Sequence, residues 1–395
     1  MKVTNINYSQ KNEKARLSAQ IVLKNGKKHN VYFEVDKEFK DFIARDASPF
    51  LAVALMLAMK IGEDLYIEGS ISKTLYHQTE RIMDLLVSWN VGFKKVKIYP
   101  DRLVKDEKEG SYIGSFFSGG VDSFYTLLKN KKENKDRITQ LILVHGFDIE
   151  LENISLFQEI LKNIEKITNA EKIAAVIVET NLRKLTDELL EWDFGHGGAL
   201  AAVSLLLRDG FKRVYIPSSY TYDTLYPWGS HPDLDPLWAT ENLKIIHDGC
   251  DVSRVQKTLQ YITHSETALK YLRVCWKNEK GKYNCGVCPK CIRTMVDLRI
   301  AGVADKSTAF EKKLDLKLFN KIDARSHGSR IYYKQSLEEL KKTNKDPELQ
   351  AGLHYLLYER KYGGIVQETR DFVGDLDRKY NSGRLYKFLS HNGII

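Results

Sequence analysis

The chain has 395 residues, a length that favours two or three domains over one. Hydrophobic residues make up 43% of it and charged residues 29%, a composition typical of a soluble globular protein. The formal net charge of +9 permits an anionic partner such as a nucleotide. Acidic residues are interleaved with the basic ones, however, so an ordinary solvated surface is favoured and a nucleic-acid partner is not required.

The apolar runs of the chain are too short for a membrane span. Residues 50–59 and 197–207 are uncharged over most of their length, but a span needs about 18–20 such residues. Residues 1–14 also lack the apolar segment of a secretory signal. We therefore expect a cytoplasmic protein with no membrane partner, and a homodimer.

The first hundred residues predict a small α/β unit. In chain order the expected elements are strands at 17–23 and 29–35 around an Asn25-Gly26 hairpin, a helix at 49–60, a strand at 64–69, a helix at 71–90 and a strand at 93–99. Pro100 and the charged run that follows it predict a linker. We therefore expect an N-terminal accessory domain over residues 1–105.

From residue 111 the chain alternates between apolar strand patterns and helical patterns. The predicted strands are 112–117, 138–146, 173–179 and 213–219. This alternation predicts an α/β fold, a doubly wound parallel sheet with helices on both faces, within a domain over 106–303. Ligands of such sheets bind beyond the carboxyl ends of the strands. Function is therefore expected after Phe117, from His145 to Asp148, after Glu179 and after Ile216.

A glycine turn follows the first of these strands. It holds Ser118, Gly119, Gly120, Asp122 and Ser123, and a helical pattern begins within it. Glycines let the backbone approach a ligand, and free N–H groups at a helix start attract phosphate. Asp122 would repel a bare phosphate, but it suits a site where Mg²⁺ bridges the carboxylate and the phosphates. Read as a turn alone, the segment could be only a tight corner.

Four cysteines lie close together near residue 285. They are Cys275, Cys285, Cys288 and Cys291. Short knuckles of this spacing are typical of a structural zinc site with four thiolate ligands, and an iron–sulfur cluster is the alternative. Nearby cations such as Lys290 and Arg293 would help to keep the thiolates ionised. Cys250 lies outside the pattern and is expected to be a small buried residue.

Together the two motifs resemble a known family. The string SGGVDS resembles the SGGxDS signature of the PP-loop ATP pyrophosphatases, and with the later cysteine knuckle the chain is similar to the 7-cyano-7-deazaguanine synthases. The resemblance covers about residues 111–300. It implies an adenine nucleotide α-hydrolase-like fold that uses ATP, Mg²⁺ and Zn²⁺. It also implies adenylation of a carboxylate such as 7-carboxy-7-deazaguanine, and conversion by ammonia to an amide and a nitrile.

The resemblance also implies roles for individual residues. The serines, glycines and Asp122 of the turn would bind pyrophosphate, and the four cysteines would hold zinc. Lys257, on a predicted helix at 253–262, would be catalytic with Asp122, and Arg254 lies one turn earlier on the same face. His145 is a further candidate for nucleotide binding. A solvated basic face is the alternative interpretation of the helix at 253–262.

The segment 216–243 does not match the synthase pattern, although it should form part of the substrate pocket. The segment holds Tyr220, Tyr222, Asp223, Trp228, Ser230, His231, Asp233 and Asp235. The candidate substrate residues are His196, Tyr222, Asp223, His231, Asp233 and Asp235. Aromatic rings could stack on a purine-like base while carboxylates accept its hydrogen bonds. The alternatives are a loop packed by its own aromatic residues and, for His196, a capping or core role.

Several functions remain open at this point. The acceptor could be ammonia, or an amine of a protein or other macromolecule, with a role in an antiphage operon. A tRNA-modifying enzyme would need a reactive cysteine, for which only Cys250 is free of the zinc pattern. The last alternative is an inactive nucleotide-binding partner. Residues 304–395 predict a mostly helical region whose tyrosines pack between helices or bind a partner; they are Tyr332, Tyr333, Tyr355, Tyr358 and Tyr362.

Overall fold

A computed structural model describes residues 1–133, 137–279, 281–324, 327–343 and 345–359. Within them, ten strands form one sheet. The strands are β1 (Lys2–Lys11), β2 (Lys14–Val22), β3 (Lys28–Asp36), β4 (Leu65–Ser72), β5 (Ile98–Val104), β6 (Tyr112–Phe116), β7 (Gln140–His145), β8 (Ala174–Thr180), β9 (Phe211–Pro217) and β10 (Lys244–Asp248).

The helices connect and cover these strands. They are α1 (Ser48–Ile61), α2 (Lys73–Ser88), α3 (Val121–Glu133), α4 (Ile154–Glu171), α5 (Arg183–Leu189), α6 (Trp192–Leu206), α7 (Arg254–Gln260), α8 (Glu266–Tyr271), α9 (Pro289–Ile300), α10 (His327–Thr343) and α11 (Pro347–His354). Short 3₁₀ turns lie at 37–42, 222–224, 235–238, 262–264 and 316–321, and a π turn at 355–359. None of the described helices is long and apolar enough to cross a membrane.

The strand order across the sheet is β10-β9-β6-β7-β8-β3-β2-β1-β4-β5. The first five strands of this order pair in parallel, as do β1, β4 and β5, and only the pairs from β8 through β3 and β2 to β1 are antiparallel. The structure therefore confirms an α/β protein with a large, mostly parallel sheet. The finer assignment to the adenine nucleotide α-hydrolase-like fold stays a prediction.

Both faces of the central sheet are covered, as β7 shows. Every residue of this strand is buried. Leu141 and Leu143 belong to one hydrophobic cluster, whereas Ile142 and Val144 belong to another. Because neighbouring residues of a strand point to opposite faces, one core lies on each side of the sheet.

The sheet has a topological switch point beside β6. From β6 the chain runs outward through β7 and β8 on one side, and later through β9 and β10 on the other. In doubly wound sheets the crevice between the two oppositely directed halves is the usual place for a ligand. The glycine turn follows β6 directly and therefore lies at this crevice.

The strands of the first hundred residues continue the same sheet. β3 pairs with β8 through Phe33–Thr180 and Glu34–Glu179, and one hydrophobic core contains residues from both halves of the chain. The predicted hairpin is confirmed by β2 and β3, with Gly26 at a φ of 86°. The boundaries at 105 and 303 stay predictions.

Two sequence expectations for this region were wrong. The predicted linker after Pro100 is part of β5, and the predicted strand begins only at Ile98. Pro100 is tolerated there because β5 lies at the edge of the sheet, where proline does not have to donate to a further strand. β1 was not predicted, because the residues that it leaves accessible are polar and mask its buried Val3.

The region after α9 is helical where it is described. α10 and α11 pack around buried apolar residues that include Tyr333, Leu337 and Leu353. Tyr332 is also buried, whereas Tyr355 is exposed. Tyr362 and the rest of 360–395 lie outside the described residues.

Candidate active site and metal centre

The glycine turn joins β6 to α3 in a conformation that requires glycine. Gly119 has a φ of 78°, and its carbonyl accepts a hydrogen bond from the Arg273 N–H at 2.8 Å. A Cβ on Gly119 would lie 3.3 Å from the Arg273 Cβ. Ser118 is exposed, whereas Ser123 is buried and donates to the Gly120 carbonyl at 2.9 Å. Ser118 therefore offers the accessible hydroxyl, and Ser123 stabilises the turn.

Asp122 lies in the first turn of α3 and contacts two cations from α7. Arg254 Nη1 donates to Asp122 Oδ2 at 2.6 Å, and Lys257 Nζ donates to Oδ1 at 3.0 Å. Lys257 Nζ also donates to the Ser218 carbonyl after β9, at 2.6 Å. The structure thus joins the three residues expected to be catalytic at the carboxyl ends of β6 and β9.

The electrostatics of this cluster favour an anion. Burial alone would raise the pKa of Asp122, but the charges of Lys257 and Arg254 outweigh it and hold this pKa below its usual value. Lys257 is 1% exposed and Arg254 is 6% exposed. Asp297, a second buried carboxylate, also interacts with Arg254, but burial raises its pKa to about 6, so it balances the cations less fully than Asp122 does. Buried charge is costly unless it is paired.

Two further cations lie on the first turn of α9. Lys290 is solvent-exposed and Arg293 is partly buried, and both interact electrostatically with Asp122. Burial lowers the pKa of Lys290, although its side chain keeps solvent contact. The two cations therefore add positive charge beside Asp122, at a place that Lys290 keeps accessible to solvent. The sequence had associated both cations with the thiolates instead.

Aromatic residues lie beside these cations, since the Arg293 guanidinium lies over the Tyr332 ring; we call Tyr220, Tyr226, Trp228, His196 and Tyr332 the aromatic wall. We call the aromatic wall, the glycine turn and the four cations together the cleft. The Tyr220 ring stacks on Tyr332 with centroids 5.7 Å apart and contacts Tyr226 at 4.9 Å. His196 contacts Trp228 at 5.1 Å. Since Tyr332 belongs to α10, the C-terminal region contributes directly to the wall.

His196 lies in the aromatic wall together with Tyr220 and Trp228 of the segment 216–243. Its Nδ1 lies 2.9 Å from the Trp192 carbonyl, within α6. Burial lowers the pKa of His196, which favours a neutral imidazole at pH 7. Gly197 lets α6 approach the substrate segment, because a Cβ there would lie 1.6 Å from the Gly229 carbonyl oxygen.

The other predicted substrate residues lie elsewhere. Tyr222, Asp223 and Asp233 are exposed on the outer surface of the segment. His231 is buried against Trp89, and its Nδ1 accepts from the Asp233 N–H at 3.1 Å. In the described part of the chain, none of these four side chains forms a hydrogen bond, ion pair or ring contact with the aromatic wall or the glycine turn.

Asp235 is fully buried in an internal hydrogen-bond network. It accepts from Ser230 Oγ at 2.6 Å and from His247 Nδ1 at 2.7 Å. Burial would lower the pKa of His247, but its hydrogen bond to Asp235 and the neighbouring Cys250 raise it to about 9. Cys250 Sγ in turn lies 3.1 Å from Ser218 Oγ. The backbone carbonyl of Ser218 accepts the hydrogen bond from Lys257.

Sequence reasoning missed His247 and Ser218. Only folding brings His247 to Asp235 and Cys250, since they lie on different segments of the chain. The one local signal was the position of Ser218 and Cys250, each just after a parallel strand at the ligand-binding edge.

His145 ends β7 but does not face the glycine turn. Its ring stacks on Phe157 with centroids 3.8 Å apart, and its Nε2 lies 3.3 Å from the Glu150 carbonyl. His145 Nδ1 lies 3.6 Å from Glu179 Oε2, and the Tyr32 hydroxyl donates to Glu179 Oε1 at 2.8 Å. Together His145 and Tyr32 lower the pKa of Glu179 to about 2. The structure therefore ties this predicted nucleotide-binding residue to the β7–β8 edge.

The four clustered cysteines form a buried group with room for one metal ion. Their sulfur atoms all lie within 4.8 Å of one another. Cys285 Sγ is 3.9 Å from Cys291 Sγ, and Cys288 Sγ is 4.0 Å from Cys275 Sγ. Tetrahedral zinc with bonds of about 2.3 Å places its sulfur ligands about 3.8 Å apart. The four thiols therefore fit a single ion such as zinc, with no open position for substrate.

Local hydrogen bonds shape this metal centre before any ion binds. The Cys288 N–H donates to Cys285 Sγ at 3.3 Å, and the Cys291 N–H donates to Cys288 Sγ at 3.4 Å. Asn284 Oδ1 accepts from the Val274 and Cys275 N–H groups. Backbone donors to the sulfurs favour thiolates and orient them towards one point.

The four-cysteine group adjoins both the glycine turn and the cations of α9. Arg273, which contacts Gly119, precedes Cys275 by two residues. Cys288 caps α9, whose first turn carries Lys290 and Arg293. Fixing the four cysteines therefore fixes the glycine turn relative to these cations.

Comparison of the chain with protein-family models, curated proteins and solved structures finds no match. The similarity to the 7-cyano-7-deazaguanine synthases therefore depends on the two sequence motifs alone.

Proposed function

We propose that this protein is a PP-loop ATP pyrophosphatase that contains zinc and adenylates a carboxylic acid for transfer to an amine. The observation that carries the proposal is the pairing of Asp122 with two buried cations at the switch point of the sheet. A strand end, a glycine turn and excess positive charge suit a pyrophosphate group.

Each residue of the cluster has a role in this proposal. Lys257 and Arg254 stabilise the negative charge that develops on the departing pyrophosphate. Ser118 and the N–H groups at the start of α3 donate hydrogen bonds to it. Asp122 orients the two cations. Its ionised, partly exposed carboxylate would also hold Mg²⁺. When bound, Mg²⁺ neutralises phosphate charge and Zn²⁺ supports the fold around the cleft.

No nucleophilic side chain is required. The substrate carboxylate attacks the α-phosphorus, pyrophosphate leaves, and the amine displaces AMP from the acyl group. The proposed acid is 7-carboxy-7-deazaguanine or a similar planar acid, and ammonia is the proposed acceptor. An amine of a macromolecule remains the alternative. Catalysis then depends mainly on positioning and charge neutralisation.

Asp122→Asn tests the proposal. With ATP, Mg²⁺, 7-carboxy-7-deazaguanine and ammonia, we expect pyrophosphate release to fall by about 100-fold or more, because the two cations lose their orienting charge. Asp223→Asn is the matched control, since it removes an exposed carboxylate of the substrate segment. Circular dichroism should show both variants folded. Undiminished release by Asp122→Asn would remove the glycine turn from the mechanism.

A further inference from the structure

Lys290 and Arg293 are two cations near the N-terminal end of α9. Within the described part of the chain, the side chains of Lys290 and Arg293 have no hydrogen bond to a protein acceptor and no ion pair, and Arg293 Nε is buried without a partner. Both cations interact electrostatically with Asp122, Lys290 also with Asp148, and Arg293 also with Asp297. Arg254 and Lys257 already donate to the two oxygens of Asp122. A partly buried guanidinium without a hydrogen-bonded acceptor is costly, which favours a second anion beside it.

The environment of Arg293 fixes its orientation. Its guanidinium carbon lies 4.0 Å from the centroid of the Tyr332 ring. Tyr332 is itself held, because its hydroxyl donates to the Ser219 carbonyl at 3.0 Å and its ring stacks on Tyr220. A stacked arginine with its donors free is preorganised to bind a carboxylate with two parallel hydrogen bonds.

The aromatic wall indicates what accompanies the anion. Tyr220 stacks on the same Tyr332 ring, and the wall continues through Trp228 to a His196 that burial keeps neutral. These rings favour a flat, uncharged body next to the charged group. An aromatic carboxylate has both parts, whereas pyrophosphate has only the charge.

We infer that Arg293 and Lys290 form a second anion subsite that binds the carboxylate of a planar aromatic acid, and that helix α10 completes this subsite through Tyr332. In the proposed reaction, these residues would select the acid. This part of the inference rests on the proposed function. The C-terminal region is then part of the active site and not only a packing element.

Equilibrium binding tests the charge recognition. Isothermal titration of 7-carboxy-7-deazaguanine should show about 10- to 100-fold weaker binding to Arg293→Gln than to the wild type, the effect of a lost charged hydrogen bond. Binding of the uncharged carboxamide and of a non-hydrolysable ATP analogue should not change. Arg102→Gln is the matched control, because Arg102 is exposed on β5. Each variant is checked for its zinc content and melting temperature.

A second pair of variants tests the role of α10. Tyr332→Ala should weaken binding of the acid as selectively as Arg293→Gln does, because Arg293 loses its stacking surface. Tyr332→Phe keeps the ring and should retain most of the affinity. If Tyr332→Ala leaves binding of the acid unchanged, α10 does not complete the subsite.

The outcomes separate this inference from the proposed function. Selective loss of acid binding supports the subsite even if the wild type releases no pyrophosphate. Equal loss for the acid and the carboxamide, loss for the ATP analogue instead, or no binding of the acid to the wild type would overturn the subsite. Pyrophosphate release with an unchanged KM for the acid in Arg293→Gln would overturn the subsite and leave the proposed function standing.

Discussion

His247 is the residue whose charge should most clearly link stability to pH. It donates to the buried Asp235, and its pKa is raised to about 9 in the folded protein from an ordinary 6.5. A raised folded pKa means that the pair stabilises the fold fully below about pH 6.5, and that this contribution is lost as the pH rises through about 9.

His247→Gln should therefore destabilise the protein most at low pH. We expect a loss in the free energy of unfolding of up to about 3 kcal/mol near pH 6, which shrinks towards zero near pH 10. Urea denaturation of both proteins at the two pH values measures it. His77→Gln, at an exposed histidine of α2, serves as the control. If the difference in unfolding free energy between wild type and His247→Gln did not change with pH, the His247–Asp235 ion pair would not be its cause.

At the residue scale, prediction succeeded where a motif was local. The string SGGVDS predicted the glycine turn, and the helical spacing placed Arg254 one turn from Lys257. Whether a side chain of the segment 216–243 points into the cleft depends on packing against α6 and α10. For that reason the sequence could not separate the tyrosines of this segment: Tyr222 is exposed, whereas Tyr220 stacks on Tyr332.

The metal centre is the element that links the glycine turn to α9. Cys288 supplies a central thiolate and also caps α9, so its loss removes a ligand and loosens the helix that carries Arg293. Removing one of four ligands weakens metal binding, and metal binding is coupled to folding.

Cys288→Ser should reduce the metal content from about one zinc ion per chain and lower the melting temperature. Metal analysis of the purified protein and thermal unfolding measure these effects. Cys250→Ser is the matched control, since Cys250 is also buried but lies outside the four-cysteine group. A stable wild-type protein without metal, or an equal loss in both variants, would contradict the assignment.

At the element scale, strongly apolar segments were predictable and amphipathic edges were not. The pattern of β7 identifies a buried strand, because all of its residues are covered. β1 and β5 lie towards the far side of the sheet, where polar residues and Pro100 face solvent and mask the strand pattern.

On the scale of the whole molecule, the N-terminal strands and the C-terminal helices both attach to the central sheet. β3 extends this sheet beyond β8, and α10 contacts α7 and α9 behind the cleft. The alternation of strands and helices predicted the parallel core. The sequence did not indicate the β3–β8 pairing, because neither strand carries a local signal for a partner so distant in the chain.

We propose that a carboxylate oxygen of the substrate acid attacks the α-phosphorus of ATP in this cleft. The most direct measurement is mass spectrometry of AMP after incubation with ATP, Mg²⁺, ammonia and 7-carboxy-7-deazaguanine labelled with ¹⁸O in its carboxylate. We expect AMP that carries one ¹⁸O atom. The oxygen that bridges the acyl carbon and the phosphorus comes from the acid, and it stays on phosphorus when the amine displaces AMP. Unlabelled AMP, ADP as the product, or ATP left intact would contradict it.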